Sequence, residues 1–555
     1  MRWQLLLAGT GFALVLALLS YHVQTGSQLC TERFPTSGGA YIEGLVGAPQ
    51  SINPLLADDN PVDRELVALL FDGLTRYEDG ELVPALAESW TVSEDGRTVR
   101  FTLRDDVTWH DGEPFTAADV AFTYGLLQDE AYPGPKALRS LWETVTIRVL
   151  AENEIEFELR EPYAGFLEAT TRGILPAHLL TGVTAETLAD APFNRTPIGT
   201  GPFRLAPGQD WQEQGAIALL PTTEAWPQGW RLGELRFQFF SSEEAVVDAF
   251  ANGQIQAINN VTPAMLPQVA QLPGTRLFSA VAPRYSSLIF NMGDSGSAAT
   301  QTLAVRQALV YALDRERLID TTLSGQGVSL TGPYLPSSWA YNAGLLTPYA
   351  TNPISATVAL DEAGWSWPEG AEMRQNGDVP LLLRLLVFDT PTNRAIAQVL
   401  ESSWKELGIS PLTLLFSDWR DYRRSLADGE FDVALVDVAP PDDPDLYDFW
   451  SQEAIVRGQN FAGWNRRRAS EALEDGRRLW SPAEREPFYD TFLRYYDEDL
   501  PEFTLFQHIV TYAVREDIEG IAIGRIDEPR DRYRSLPDWI LAYEDLTVLC
   551  PETQP

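Results

Sequence analysis

Residues 82–127 read LVPALAESWTVSEDGRTVRFTLRDDVTWHDGEPFTAADVAFTYGLL, and their patterning decides the fold. Val99, Phe101 and Leu103 alternate with Arg100, Thr102 and Arg104, the period of a strand with one buried face. Ser93-Glu94-Asp95-Gly96 before it is a turn, because Asp-Gly supplies the positive φ of a tight reversal. His110-Asp111-Gly112-Glu113-Pro114 is a second turn. Thr116-Ala117-Ala118-Asp119 predicts a capping box, in which the Thr116 hydroxyl and the Asp119 carboxylate accept from amides of the first helical turn. The stretch is a β-hairpin feeding a capped helix.

Its motifs are Leu86-Ala87-Glu88-Ser89-Trp90, Phe101-Thr102-Leu103-Arg104, and the run from Trp109 to Val120 that reads W-x-D-G-x-P-F-x-A-x-D-V. In this order they closely resemble the signature of the family 5 extracellular solute-binding proteins, the oligopeptide, dipeptide and nickel receptors of ABC importers. Further stretches carry the likeness along nearly the whole chain. Pro197-Ile198-Gly199-Thr200-Gly201-Pro202-Phe203 is similar to the family's P-x-G-T-G-P-[FY] element, whose glycines are expected to permit a tight turn. Val305-Arg306-Gln307-Ala308-Leu309 opens a helix expected over 305–315 that resembles V-R-Q-A-[IL]-x-x-A-[IL]-[DN]-R. Leu360-Asp361-Glu362-Ala363-Gly364-Trp365 precedes a strand at 381–388, a helix at 392–407, Gly408-Ile409 and a strand at 412–416. That βαβ order predicts parallel pairing in a covered sheet, with a further buried strand at 431–436.

The resemblance implies an α/β, two-lobed periplasmic-binding-protein (Venus flytrap) fold with mixed sheets and an extra subdomain in lobe one. It implies two crossings between the lobes, near 278–285 and 504–512. Lobe one then spans 40–280, lobe two 281–511, and 512–548 return to lobe one.

Composition narrows the partners. Among 555 residues, 79 are acidic and 41 basic, a formal charge of −38. Such a surface repels nucleic acid and anionic headgroups, so neither is expected as a partner. Lysine occurs only at Lys136 and Lys405. Met1-Arg2 followed by an apolar run over 5–19 makes residues 1–29 an export signal peptide or a membrane anchor. Family members are often lipid-anchored through a cysteine after a small residue, whereas here the bulky Leu29 precedes Cys30. The two cysteines, Cys30 and Cys550, flank the folded body. Outside the cytoplasm such a pair either oxidises to one disulfide or remains as two free thiols.

The resemblance also implies where a ligand sits. The family's cleft-facing segment reads G-W-x-x-D-x-x-D-P, whose first Asp can pair with a peptide's α-amino group. Here the chain reads Val436-Asp437-Val438-Ala439-Pro440-Pro441-Asp442-Asp443-Pro444. Aligned on Asp443-Pro444, the ammonium-binding position is Pro440; counted from Asp432, it is Pro441. Proline offers neither a charge nor an N–H, so capture of a free amino terminus by this route is not expected. Asp437 either replaces the lost charge or caps nearby amides, and Asp442 and Asp443 read as turn residues. Trp419 is either a platform over the ligand or a core residue. Gln507 and His508 on the second crossing either line the cleft or, for His508, bond between lobes. Arg284 and Tyr285 mark the first crossing, with Arg284 holding a ligand carboxylate or pairing with a neighbouring acid. Gln50, Ser51 and Asn53 lie in a loop that approaches the cleft in relatives, though an Asn before Pro54 is also an ordinary turn residue.

The expected function is an extracytoplasmic binding protein that delivers a peptide or peptide-like solute to the permease of an ABC importer, tethered to the membrane by its N-terminal segment. A sensory or docking receptor of the same fold, or a binder of oligosaccharide or another non-peptide solute, are the alternatives. No Gly-x-Ser-x-Gly, His-Glu-x-x-His or P-loop motif occurs, so neither an enzyme nor a cofactor is expected.

Overall fold

The computed structural model describes Val15 and residues 29–35, 38–78, 80–222, 232–526, 529–541 and 543–549. An 11-stranded mixed sheet runs through the molecule, and two long antiparallel strands, Thr275–Phe290 and Glu502–Arg515, form its spine. Beyond Thr275–Phe290 lie Val433–Val438, Leu382–Phe388 and Ser410–Phe416, the last two parallel to each other. Leu382–Phe388 also pairs parallel with Val433–Val438. Beyond Glu502–Arg515 lie Ala257–Ile258, Ala40–Val46 and Glu234–Phe240, then the antiparallel Ala216–Pro221 and Phe203–Leu205. The chain is thus two-lobed.

The central strands of the second lobe are buried on both faces, whereas the edge strand Ser410–Phe416 is partly exposed. Continuous apolar runs such as Leu385-Leu386-Val387 and Val433-Ala434-Leu435 are wholly buried, as expected of covered parallel strands. Helix Pro391–Lys405 covers one face by presenting Ile396, Ala397, Leu400 and Trp404 at helical spacing. The expected helix over 305–315 is two helices, Leu303–Tyr311 and Arg315–Thr322. Asp314 ends the continuity by accepting from the Arg317 N–H at 3.0 Å, capping a new start.

The stretch that opened the sequence reading builds a separate four-stranded antiparallel sheet, with Ala87–Val92 and Thr98–Leu103 as its hairpin. Val99, Phe101 and Leu103 are buried and Arg100 is exposed. Helix Ala117–Gln128 lies over it. Asp119 Oδ2 accepts the Thr116 N–H at 2.9 Å, and Oδ1 accepts the Ala177 N–H at 2.9 Å. Tyr124 of this helix stacks on Trp142 at 3.9 Å, with Phe157 edge-on to both rings. Gly199 and Gly201 dock this unit for a different reason than turn geometry. A Cβ on Gly199 would stand 1.7 Å from the Leu70 carbonyl oxygen, which instead accepts the Gly201 N–H at 2.9 Å. They are glycines of close approach.

The last described segments return to the first lobe. Trp539 packs edge-on against Tyr41 at 5.0 Å, and Arg532 lies buried between Glu43 and Glu65. Strand Leu29–Pro35 pairs antiparallel with Tyr543–Leu549, Leu29 opposite Leu549. Cys550 lies outside the described residues, as do residues 1–28 apart from Val15. Among the described residues no helix is long and apolar enough to cross a membrane.

Candidate functional site

A cleft of about 410 Å³ opens between the lobes, within the size range of small-molecule sites. Its first-lobe wall is helix Pro61–Leu70, the segment around Glu168 to Gly173, and Leu138 and Leu141 of the inserted subdomain. Pro441 closes it from the second lobe. Asn60 sets the helix end by accepting the Val62 N–H at 2.8 Å. Arg172 is braced into the wall by the Pro54 carbonyl at 2.7 Å and by Asp58 at 3.2 Å. Arg64, exposed on the same helix, donates to the Asp58 carbonyl at 3.0 Å. A second void, about 20 Å³ beside Glu502, has room for little more than one water.

The lobe crossing supplies the next group of side chains. Pairing of the long strands runs regularly to Val281–Ile509 and resumes at Tyr285–Gln507, so Ala282, Pro283 and Arg284 stand opposite His508 alone. Such a bulge re-aims side chains, and Arg284 is left exposed beside a buried Tyr285. Loss of water lowers the Arg284 pKa; the Asp437 carboxylate opposes that shift, and the neighbouring Arg64 adds to it.

Asp437, His508 and Ser286 form one cluster. His508 Nε2 lies 2.8 Å from Ser286 Oγ and 3.3 Å from Asp437 Oδ1, and Ser286 also donates to Asp437. Desolvation pushes the Asp437 carboxyl up, but His508, Ser286 and Arg284 together hold it below its ordinary value. The trio has the residue types of a hydrolytic triad without its geometry. Serine and aspartate both address Nε2, whereas a relay needs them on opposite ring nitrogens. The geometry does not activate the serine.

Trp419 is 47% exposed, stacked on Tyr422 at 5.4 Å and met edge-on by Phe388 at 5.2 Å. It follows Ser410–Phe416 at the carboxyl ends of the parallel strands, the end at which open α/β sheets receive ligands. Gln50 and Ser51 give their backbone N–H groups to Asp63 at 2.8 and 3.0 Å, with the Gln50 side chain left exposed. Three other expected site residues face inward. Asn53 is fully buried, bonded to Asn194 at 2.9 Å and to the Leu55 N–H. Gln507 is buried and spans the bulge to the Ala282 carbonyl at 2.9 Å. Tyr285 is buried against Glu502.

Two residues that sequence reasoning missed complete the site. Arg64 carries no motif and belongs to the polar side of an amphipathic helix. Glu168 reaches across the lobes, accepting the Asp442 N–H at 3.1 Å and the Asp443 N–H at 2.9 Å. Asp443 is fixed by Arg485 at 2.6 Å. The same seam holds Arg477 over the Tyr163 ring at 4.7 Å and the Trp480 indole N–H on the Gly96 carbonyl at 3.2 Å. Among the described residues no cluster of three or more His, Cys, Asp or Glu could hold a metal.

The profile of the bacterial extracellular solute-binding proteins, family 5 Middle, matches residues 81–455. The chain is 23% identical over 509 residues to the dipeptide-binding protein of Escherichia coli (strain K12), covering 86% of this chain and 91% of that protein. Among solved structures it resembles the oligopeptide-binding protein AppA of Bacillus subtilis in complex with a nonapeptide. The TM-score is 0.74 at 24% identity, over 92% of this chain and all 100% of that one. It also resembles NikZ of Campylobacter jejuni in complex with Ni(L-His), with a TM-score of 0.75 at 24% identity over 90% of this chain and 99% of the other. These likenesses carry the two-lobed fold.

Proposed function

The chain belongs to the bacterial extracellular solute-binding proteins of family 5, and on that premise we propose that it closes two lobes on a peptide or peptide-like solute and passes it, chemically unchanged, to the permease of an ABC importer. We assign lobe one to residues 40–280 with the return over 512–548, and lobe two to 281–511. One observation carries the reading: the cleft of about 410 Å³ is walled by the first lobe and closed by Pro441 of the second, where Glu168 accepts the Asp442 and Asp443 N–H groups in hydrogen bonds that part when the lobes part. Arg64, Glu168 and Arg172 line that cleft, and further ligand contacts are assigned to Arg284, Trp419, Asp437, His508 and the exposed Gln50, which stand outside its lining. Asn53, Tyr285 and Gln507 hold the backbone around them, and Ser51 shapes the loop.

Pro441 lines the cleft, and whether Pro440 or Pro441 takes the motif's ammonium-binding position, a proline stands there in place of a carboxylate. N-acetylated tripeptides are therefore expected to raise the melting temperature as much as tripeptides with free amino termini. A ligand that binds only the folded form stabilises it by RT ln(1 + [L]/Kd), so thermal-shift titrations read the comparison directly. A strong preference for free amino termini overturns it. The same panel should include oligosaccharides, because the exposed Trp419–Tyr422 pair is also a stacking surface for a sugar ring.

Residues 1–29 are assigned to export or tethering at the outer face of the cell membrane. The pairing of Leu29–Pro35 with Tyr543–Leu549 joins the two ends of the chain and sets Cys30 opposite Val548, two residues before Cys550. A disulfide between the two cysteines is expected. Alkylation of denatured, unreduced protein should then label no thiol, and labelling of both thiols removes the bond from the account.

A further inference from the structure

We propose that Trp480 is the bolt of a clasp outside the solute space, which draws the two lobes together in the solute-free protein and so sets how long a solute is retained. This rests on the lobe assignment given above. Trp480 stands on the short link between helices Arg467–Arg477 and Pro482–Asp499, in the second lobe. Its ring packs against the hydrophobic core of the first lobe and not against those of the second. Its N–H donates to the Gly96 carbonyl, 3.2 Å away in the first-lobe hairpin turn.

The receiving surface fits the ring. Gly96 closes its turn with a φ of +69° and with its N–H on the Ser93 carbonyl at 2.9 Å. Positive φ explains a glycine there, but a second constraint acts on the same residue. A Cβ at Gly96 would stand 2.7 Å from the indole nitrogen and 3.1 Å from the Pro162 Cβ, so only a residue without a side chain lets turn, proline and ring meet. Two residues past Pro162, the Ala164 N–H donates to the Arg477 carbonyl at 3.0 Å. That carbonyl ends its helix, where no intrahelical donor remains, so the first lobe caps a helix of the second. The Arg477 guanidinium, paired with Asp445 at 2.9 Å, lies over the Tyr163 ring. The lining of the cleft takes in Tyr163 and Gly165 but neither Gly96 nor Trp480. The clasp therefore needs no solute to form, and parting the lobes returns the ring and the helix-end carbonyl to water. Apparent affinity scales with the closed fraction, and an enclosed solute leaves only when the clasp opens. Trp480 is thus a positioning residue that acts through closure rather than by touching the solute.

The test reads energy transfer between dyes on the two lobes, first without any solute. W480A is expected to move the open-to-closed ratio toward open by about tenfold, from the loss of one ring contact and one hydrogen bond. W480F keeps the ring and loses only the N–H, so it should fall between the two, and it carries the test if W480A fails to fold. R478Q should leave the ratio unchanged, because the Arg478–Glu161 pair at 2.9 Å is exposed to water. For an N-acetylated tripeptide that binds in the thermal-shift panel, release from W480A should be about tenfold faster than from wild type. Release at the wild-type rate would remove Trp480 from retention. Equal transfer in the solute-free wild type, W480F and W480A overturns the clasp and leaves the receptor reading standing. A shift toward open in W480A, with no tripeptide of the panel bound by any variant, supports the clasp and counts against the peptide alone. A shift as large in R478Q as in W480A overturns Trp480 as the bolt.

Discussion

Replacing Arg532 by leucine is expected to destabilise the first lobe by about 3–5 kcal/mol at neutral pH, the range found when one partner of a buried ion pair is removed. Arg532 is 4% exposed and donates to Glu43 Oε1 and Glu65 Oε2 at 2.6 Å each. Glu43 is wholly buried, and its other oxygen accepts from Tyr512 at 3.0 Å and Tyr533 at 2.8 Å. Burial raises the Glu43 pKa, the Arg532 charge lowers it, and Glu65 raises it again. Without the guanidinium two carboxylates share a dry site, so Glu43 must take up a proton. The sign follows. A folded-state pKa raised above the unfolded one makes the cost smallest in acid and largest above it. R532L should therefore lose less at pH 5 than at pH 8, and E43L/R532L should recover part of the loss because apolar replacements of both partners need no counter-charge. Urea unfolding followed by a probe in each lobe measures this. Arg532 lies in the segment assigned as the return to lobe one, so a change under about 1 kcal/mol would detach that segment from the lobe's core.

The elements that follow from local pattern were legible in the sequence. Alternation over 98–103 places Val99, Phe101 and Leu103 inside, and unbroken apolar runs announce the covered parallel strands. Legibility ended where an outcome depends on what lies opposite. Gln507 and His508 are adjacent polar residues on one strand, and alternation alone does not say which of them is buried. The three-residue bulge at 282–284 decides it, and a bulge has no period to detect. Asn53 sits in the expected loop but turns inward, because Asn194, distant in sequence, offers it a buried partner. Glu168 meets Asp442 and Asp443 across 274 and 275 positions of chain, with no motif at either end. Motifs gave the family and the order of elements; distant contacts decided which polar side chains turn inward.

The contact at Glu168 makes lobe closure sensitive to pH, and E168Q is expected to remove most of that sensitivity. With the lobes together, burial first, then the Asp442 and Asp443 charges, raise this carboxyl from 4.5 to about 8, against the opposing effect of the two amides it accepts. Tyr77 and Tyr163 face it from the first lobe, and Arg485, held by Asp443, stands behind it in the second. When the lobes part, water returns and the pKa falls toward its ordinary value, so closing takes up a proton in the window between. The closed form is thus favoured on the acid side and loses ground as pH rises through about 8. Glu168 remains half-buried, so the full shift is discounted, and a change in the open-to-closed ratio on the order of tenfold is expected between pH 6 and pH 9. The radius of gyration from small-angle scattering, or energy transfer between dyes on the two lobes, reports it. Glutamine keeps an oxygen for one amide and carries no charge, so E168Q should hold the low-pH ratio across the range. Global charge does not mimic this. The buried Asp63 and Asp445, each pushed up to about 6, and Glu502, pushed up to about 7, are present in both proteins, so their titration cancels in the comparison. Parallel pH profiles for wild type and E168Q would place the origin elsewhere and leave the two amides as ordinary seam contacts.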